Sequence, residues 1–374
     1  MDWLIGQDFK NTIMRVKFWG VRGSIPAPLT SEQIIEKELS LLERIEQDGG
    51  MRKLFGRKPK KEDMRRYLQS LPLSLKGTYG GDTTCVEIQT RNSPLIMIDA
   101  GSGARELGRT LVGRLFGREH NLNPLNSDES KKRELHLFFT HYHWDHIQGF
   151  PFFTPAFLTG GDKINITFYG KKDARQHVSD VLKGQQQYPN FPVEWGDMPC
   201  NTNYVELPRL DNTRLIGIGN ALVSYQQLSH PDSVFAYRIS SGGRSFVFAT
   251  DTEHRDIPDP RLVQFAKGAD LLYYDAQYLP EEYPGKSGTV TGITPKIDWG
   301  HSTYEWAVKN ALAASIPIVI LGHHEPLRND FGLEELAERA TAFKNQQLSL
   351  PENQGKLLEV HLACQGLEYS LTAN

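Results

Sequence analysis

The sequence predicts an α/β (α+β) protein made of two β-sheets covered by helices. Three observations predict it: a succession of short apolar runs in two groups, helical patterns between and after them, and a composition able to bury an ordinary core. With 39% hydrophobic and 23% charged residues among 374, the balance is that of a globular chain and not of a disordered one. The expected organisation is one domain over 1–374 with a charged helical insertion at about 29–75. A formal net charge of −3 argues against a surface built wholly for nucleic acid.

Taken in order, Arg15–Trp19 reads as the first strand. The segment 29–75 then interrupts the strands with an acidic helical stretch, Ser31–Gln47, followed by a basic one holding Arg52, Lys53, Arg57, Lys58, Lys60, Lys61, Arg65 and Arg66. It fits either a solvated excursion or an arm that holds an anionic substrate or partner. Strands resume at Cys85–Ile88 and Leu95–Ile98, then at Leu135–Phe139 and Ile164–Tyr169, with helices over Ala104–Leu115 and Ala174–Leu182. The second group comprises Leu222–Gln226, Ser245–Ala249, Leu271–Tyr274 and Ile318–Leu321. Helices over Arg261–Lys267, Tyr304–Ala314 and Leu333–Ala342 accompany it. Gly, Pro, Asn and Asp bound these runs, as strand ends require.

No run of about 18 apolar residues occurs, so no membrane span is expected. The three cysteines, Cys85, Cys200 and Cys364, lie far apart and form no CxxC pair. With no hydrophobic signal core in the first residues, they fit a reducing, cytoplasmic setting.

Chemistry concentrates in His141-Tyr142-His143-Trp144-Asp145-His146, directly after a strand. In extended chain, residues i and i+2 project to one side, so His141 and His143 can grip one ion together. Asp145 and His146 fall where the chain turns toward a short helix and a second position. Imidazole and carboxylate are ligands that zinc, manganese or iron accept.

This HxHxDH loop resembles the hallmark of the metallo-β-lactamase superfamily. The resemblance implies an αββα four-layer sandwich with two mixed β-sheets flanked by helices. Its further slots are matched in order by His230, Asp251 in Phe248-Ala249-Thr250-Asp251, and His323 in His323-His324-Glu325-Pro326. By resemblance, His141, His143 and His230 hold one divalent ion, Asp145, His146 and His323 a second, and Asp251 bridges them. His323 is preferred to His324 because related branches read H-x-x-P. Asp99, in Asp99-Ala100-Gly101-Ser102-Gly103, would steady a metal-binding His or cap the following helix. Two such ions, zinc by ligand type with manganese or iron also suitable, can share a hydroxide and lower its pKa toward neutrality.

Fold alone does not choose the substrate of a superfamily that hydrolyses lactams, thioesters, lactones and phosphodiesters. Phe18-Trp19-Gly20-Val21-Arg22-Gly23-Ser24 resembles the phosphodiesterase branch, which includes ribonuclease Z and the cyclic phosphodiesterases of phosphonate catabolism. Gly300-His301-Ser302-Thr303 resembles its GHST motif, with His301 lying 22 residues before His323. His301, with Asp145 also taking part in proton transfer, is therefore the expected catalytic group: an alkoxide leaves poorly without a proton donor. The expected substrate is a small or cyclic nucleotide-like phosphodiester. Transfer RNA is less favoured, because no long Gly/Pro-rich arm of the ribonuclease Z kind is present. Phe150-Pro151-Phe152-Phe153 and Gln186–Phe191 supply aromatics that either stack on a base or wall the sheet. Thioester or lactone hydrolysis, and a non-catalytic metal-binding regulatory role, are the competing readings. Related enzymes commonly form homodimers, which is the assembly expected here.

Overall fold

Alternation along the strands decides the architecture. In the computed structural model, which describes residues 11–58, 60–172, 177–209, 214–283 and 296–373, fourteen strands form two seven-stranded sheets. The first holds β1 (Thr12–Gly20), β2 (Cys85–Thr90), β3 (Leu95–Ile98), β4 (Glu134–Phe138), β5 (Asn165–Lys171), β6 (Asn201–Leu207) and β14 (Glu368–Thr372), in the order β14-β1-β2-β3-β4-β5-β6. The second holds β7 (Ile216–Ile218), β8 (Ala221–Leu228), β9 (Val234–Ser241), β10 (Arg244–Ala249), β11 (Leu271–Asp275), β12 (Ile318–Gly322) and β13 (Glu359–Leu362), ordered β13 to β7. Both sheets are mixed: β3 to β6 and β10 to β13 run parallel, and the remaining pairs antiparallel.

Successive side chains of a strand point to opposite faces, and here each face has its own burial partner. Ile96, Ile98, Phe246, Phe248, Leu271, Tyr273 and Ile320 meet in the core between the sheets. Their neighbours Leu95 and Met97 face outward, onto α5 (Ala104–Phe116) and α7 (Val178–Gln185). On the other side Val247, Ala249, Leu272, Tyr274, Val319 and Leu321 pack under α8 (Pro260–Ala266), α9 (Tyr304–Ala314) and α10 (Asp330–Leu348). Helix, sheet, sheet, helix is the result. Each fully buried aliphatic or aromatic side chain contributes about 1.5–3 kcal/mol.

Five strands, β6, β7, β9, β13 and β14, go beyond those expected from the sequence. Four of them lie at or beside sheet edges, where one face suffices and polar residues are tolerated. The fifth, β9, opens on the apolar run Val234-Phe235-Ala236-Tyr237 and continues through Arg238, whose guanidinium donates to the carbonyls of Phe265 and Lys267 at 2.9 Å and so caps the end of α8. The helix expected from Ala174 begins at Val178, capped by His177, and residues 174–176 lie outside the described ones.

The charged insertion is helical. It forms α1 (Ser31–Gln47), α2 (Gly50–Phe55), α3 (Lys61–Ser70) and α4 (Leu73–Lys76). Thr30 and Gln33 close a capping box at the start of α1. Lys37 pairs with Asp330, and Ser74 N–H donates to Glu334 at 3.1 Å, so the arm rests on α10. The eight basic residues from Arg52 to Arg66 are exposed. Among the described residues, no helix is long and apolar enough to cross a membrane.

Candidate metal centre

Parallel strands place their C-terminal ends on one edge, where loops can converge. Six strands deliver polar groups there: Asp99 after β3, His141 after β4, His230 after β8, Asp251 after β10, Asp275 at the end of β11 and His323 after β12. A four-residue helix, α6 (Trp144–Ile147), adds Asp145 and His146. Asp99, Asp251 and His323 each sit at positive φ, 56°, 49° and 56°. For residues other than glycine this left-handed conformation costs about 1–2 kcal/mol each. Three such residues at one place mark a site whose surroundings hold side chains in directions that relaxed backbone would not supply.

Among the described residues two groups of donor atoms carry the expected ligands, and a third, Asp251, Asp275, His301 and His323, overlaps them. His141, His143 and His230 present ligand atoms within 4.8 Å of one another at the open side. Asp145, His146, Asp251 and His323 do so in a fully buried group. Asp251 reaches both: its Oδ2 lies 3.2 Å from His323 Nε2 and 3.9 Å from His141 Nε2, and its Oδ1 lies 3.3 Å from His146 Nε2. Asp145 Oδ2 stands 3.2 Å from His146 Nε2 and 3.1 Å from His323 Nε2. The buried Nε2 atoms of His141, His146 and His230 have no hydrogen-bond partner. Inward-facing imidazole nitrogens beside two carboxylates are what a divalent ion satisfies, so the residues fit the metal that the sequence implies. No cysteine enters either group, and the donors are all nitrogen and oxygen.

The surrounding residues fix which nitrogen faces inward. Asp99 accepts Thr140 N–H, the Thr140 hydroxyl and His146 Nδ1–H, each at 2.8 Å. Its carboxylate is thereby spent on holding His146, and the cap of α5 falls instead to Gly103. The Thr140 hydroxyl, donating to Asp99, accepts His141 Nδ1–H at 3.1 Å, which leaves His141 Nε2 bare. His143 turns Nε2 to Asp232 at 3.0 Å, leaving Nδ1 as its other ring nitrogen. His323 Nδ1 donates to Gln277 Oε1 at 3.1 Å, and its backbone N–H donates to the core Tyr273 hydroxyl at 2.7 Å. Gly23 and Gly300 make the close approach possible: a Cβ on Gly23 would lie 2.5 Å from the His323 ring, and one on Gly300 2.1 Å from that of His230.

His323, not His324, therefore joins the buried group. His324 points away and donates Nε2–H to Ala363 O at 2.8 Å. His301 Nδ1 lies 2.9 Å from Asp275 Oδ2 and its ring stacks on His323 at 4.9 Å between centroids. Asp275 also accepts the backbone N–H groups of Asp251, Gln277 and Ser302, at 3.2, 3.1 and 3.0 Å. With His301 Nδ1–H engaged there, Nε2 is the nitrogen available to a substrate. His301, His323, Asp145, Asp251, His143, Trp144, Tyr142 and Ser24 line a cleft of about 490 Å³.

A family model described as a β-lactamase superfamily domain matches residues 95–324, well over half of the chain. The chain belongs to the metallo-β-lactamase superfamily. Ribonuclease Z from Prochlorococcus marinus (strain AS9601) is 26% identical over 303 residues, covering 67% of this chain and 88% of that protein. Two solved structures share the fold. The metallo-β-lactamase fold protein YhfI from Bacillus subtilis has a TM-score of 0.54 at 16% identity, covering 96% of this chain and 99% of that one. A diphosphatase from the PhnP family has a TM-score of 0.53 at 17% identity, covering 96% and 98%.

Within this metallo-β-lactamase fold the two groups differ electrostatically. Burial, joined by the neighbouring His146, holds His141 well below the usual imidazole range, and burial pushes His230 down to about 4. Burial also opposes charge on His323 and His146, but the carboxylates facing them override it. Asp251, Asp145 and Asp275 lift His323 to about 9, while Asp145, Asp251 and Asp99 raise His146 well above its ordinary value. Burial would raise Asp145 and Asp251, yet those same imidazoles keep both well below the carboxylate range. At pH 7 His146 and His323 of the metal-free chain are thus cationic, each with a proton that an ion must displace, whereas His141 and His230 are neutral. Ion affinity of the buried group should rise with pH toward about 9, roughly ten-fold per pH unit for each proton displaced. Zinc calorimetry at pH 7, in buffers of different ionisation enthalpy, should show proton release accompanying loading of that group. Zinc uptake by both groups without proton release would contradict the assignment.

Sequence reasoning did not single out Asp275, Gln277 or Asp232. Asp275 had a usable signal, since it ends an apolar strand as Asp99 and Asp251 do. Gln277 and Asp232 had none. Of the aromatic segments, Phe150 and Phe153 are buried under α5, whereas Phe152 and Tyr188 are exposed.

Proposed function

We propose that this chain is a dinuclear metal-dependent phosphodiesterase acting on a small, nucleotide-like phosphodiester. The carrying observation is the pairing of two donor groups through Asp251 with an imidazole, His301, held on the cleft wall by a buried carboxylate. Ions held by His141, His143 and His230, and by Asp145, His146 and His323, with Asp251 between them, would lower the pKa of attacking water and neutralise phosphoryl oxygens.

The chain's own groups supply the rest. Asp275 accepts His301 Nδ1–H and keeps Nε2 turned to the cleft, where it can donate a proton to the leaving oxygen or a hydrogen bond to the phosphoryl group. Ser24 N–H donates to Asp145 Oδ2 at 2.8 Å, and Gln277 Nε2 donates to Ser24 Oγ at 3.2 Å, so the first loop is tied to the His323 side of the cleft. A cleft of about 490 Å³ suits a ligand of nucleotide size. Ribonuclease Z and a PhnP-family diphosphatase, as their names state, act at phosphorus, which supports the same bond class.

A panel of substrates tests this reading. Zinc- or manganese-loaded protein should turn over bis(p-nitrophenyl) phosphate and cyclic nucleotides far faster than a thioester, a lactone or a 3′-extended RNA hairpin. Faster thioester or lactone hydrolysis would move the activity to a carbon ester. Faster cleavage of the RNA would make the substrate a nucleic acid.

A further inference from the structure

Trp144 stands between two of the proposed ligands, His143 and Asp145, yet it is 78% exposed while Asp145, His146 and Ile147 are buried. The inner face of α6 is already supplied by those three residues, so the helix does not need the indole for packing. Among the described residues, the indole has no ring, cation or hydrogen-bond partner. It nevertheless lines the cleft beside His143, His301 and His323. A large aromatic left in water at the mouth of a polar cleft keeps its π face free for what the cleft binds.

The neighbouring chain continues this character. Gln185 donates to Ile147 O at 3.0 Å, which brings the segment after α7 back to the end of α6. That segment carries Tyr188, 82% exposed, and Phe191, whose ring meets Phe152 edge-on at 5.5 Å. Phe152 itself is 57% exposed. Of the residues that line the cleft, Trp144 and Tyr142 are aromatic and the floor is imidazole and carboxylate; Phe152, Tyr188 and Phe191 are not among them. A phosphodiester without an aromatic group would use only the floor.

We propose that Trp144 is a stacking platform for an aromatic base, so that the site takes a nucleotide diester whose base lies on the indole while its phosphoryl group faces the histidines and aspartates. This rests on the phosphodiesterase reading above. Stacking tolerates any base, because every base has a π face, so the platform selects nucleotides as a class without selecting their sequence.

The test compares two diesters with the same leaving group, thymidine 5′-(p-nitrophenyl phosphate) and methyl p-nitrophenyl phosphate, on the metal-loaded full chain. The wild-type protein should prefer the base-bearing diester in kcat/KM. Trp144→Ala should lower that preference about ten-fold, chiefly through KM, and Trp144→Phe should keep most of it. An unchanged preference, or an equal loss on both diesters, would overturn the platform, the latter because Trp144 would then act through the metal-bearing helix. Binding of thymidine 5′-monophosphate supplies a readout independent of turnover: it should quench tryptophan emission in the wild type and much less in Trp144→Phe. Failure to cleave either diester with that quench present would refute the phosphodiesterase reading alone. Absence of the quench would refute the platform.

Discussion

His301→Ala should lower kcat for a phosphodiester by about 10²–10⁴-fold while both ions stay bound. The ring lies beside the donor groups, and its one fixed bond, Nδ1–H to Asp275 Oδ2 at 2.9 Å, leaves Nε2 for the substrate. The loss should depend on the leaving group. An alkoxide needs a proton to depart and p-nitrophenolate does not, so a proton-donating His301 makes the variant's defect larger on a dialkyl diester than on bis(p-nitrophenyl) phosphate. Equal defects would assign it to stabilising the phosphoryl oxygens. Asp275→Asn should reproduce part of the effect, about 10–100-fold, since the ring would lose its orienting carboxylate. Near-full activity of His301→Ala on the best phosphodiester, with metal content unchanged, would remove His301 from the reaction.

Asp251→Ala should have the larger consequence, because it takes a ligand from both groups at once. Its two oxygens face His146 on one side and His323 and His141 on the other, within 3.9 Å. Bound metal should fall below two ions per chain, and turnover should fall to the level of metal-stripped protein. Metal analysis and circular dichroism of the same sample separate this from unfolding. Two ions retained with activity intact would show that Asp251 bridges nothing.

How far these residues could be read from the sequence follows from how local their signals are. His141, His143, Asp145 and His146 are dense enough in six positions to stand out, and the resemblance to the superfamily located Asp99, Asp251 and His323. The choice between His323 and His324 rests physically on a bond to Ala363, 39 residues away, which no local pattern displays. Asp275 acts through four N–H donors brought from three loops, and Gln277 through one bond to a ring 46 residues on. The central strands other than β9 were legible because both faces are buried. The edge strands β6, β7, β13 and β14 were not, because polar side chains are tolerated on a face turned to water. In the insertion, the helices followed from charge and apolar spacing, but their seat on α10 depends on Lys37 meeting Asp330, far along the chain.

The most direct measurement is a zinc titration of metal-stripped protein in which bound ions and bis(p-nitrophenyl) phosphate turnover are followed together. A dinuclear phosphodiesterase predicts that turnover rises with loading and reaches its maximum at two ions per chain. Full turnover at one ion, or two ions bound without any phosphodiester cleavage, would contradict it.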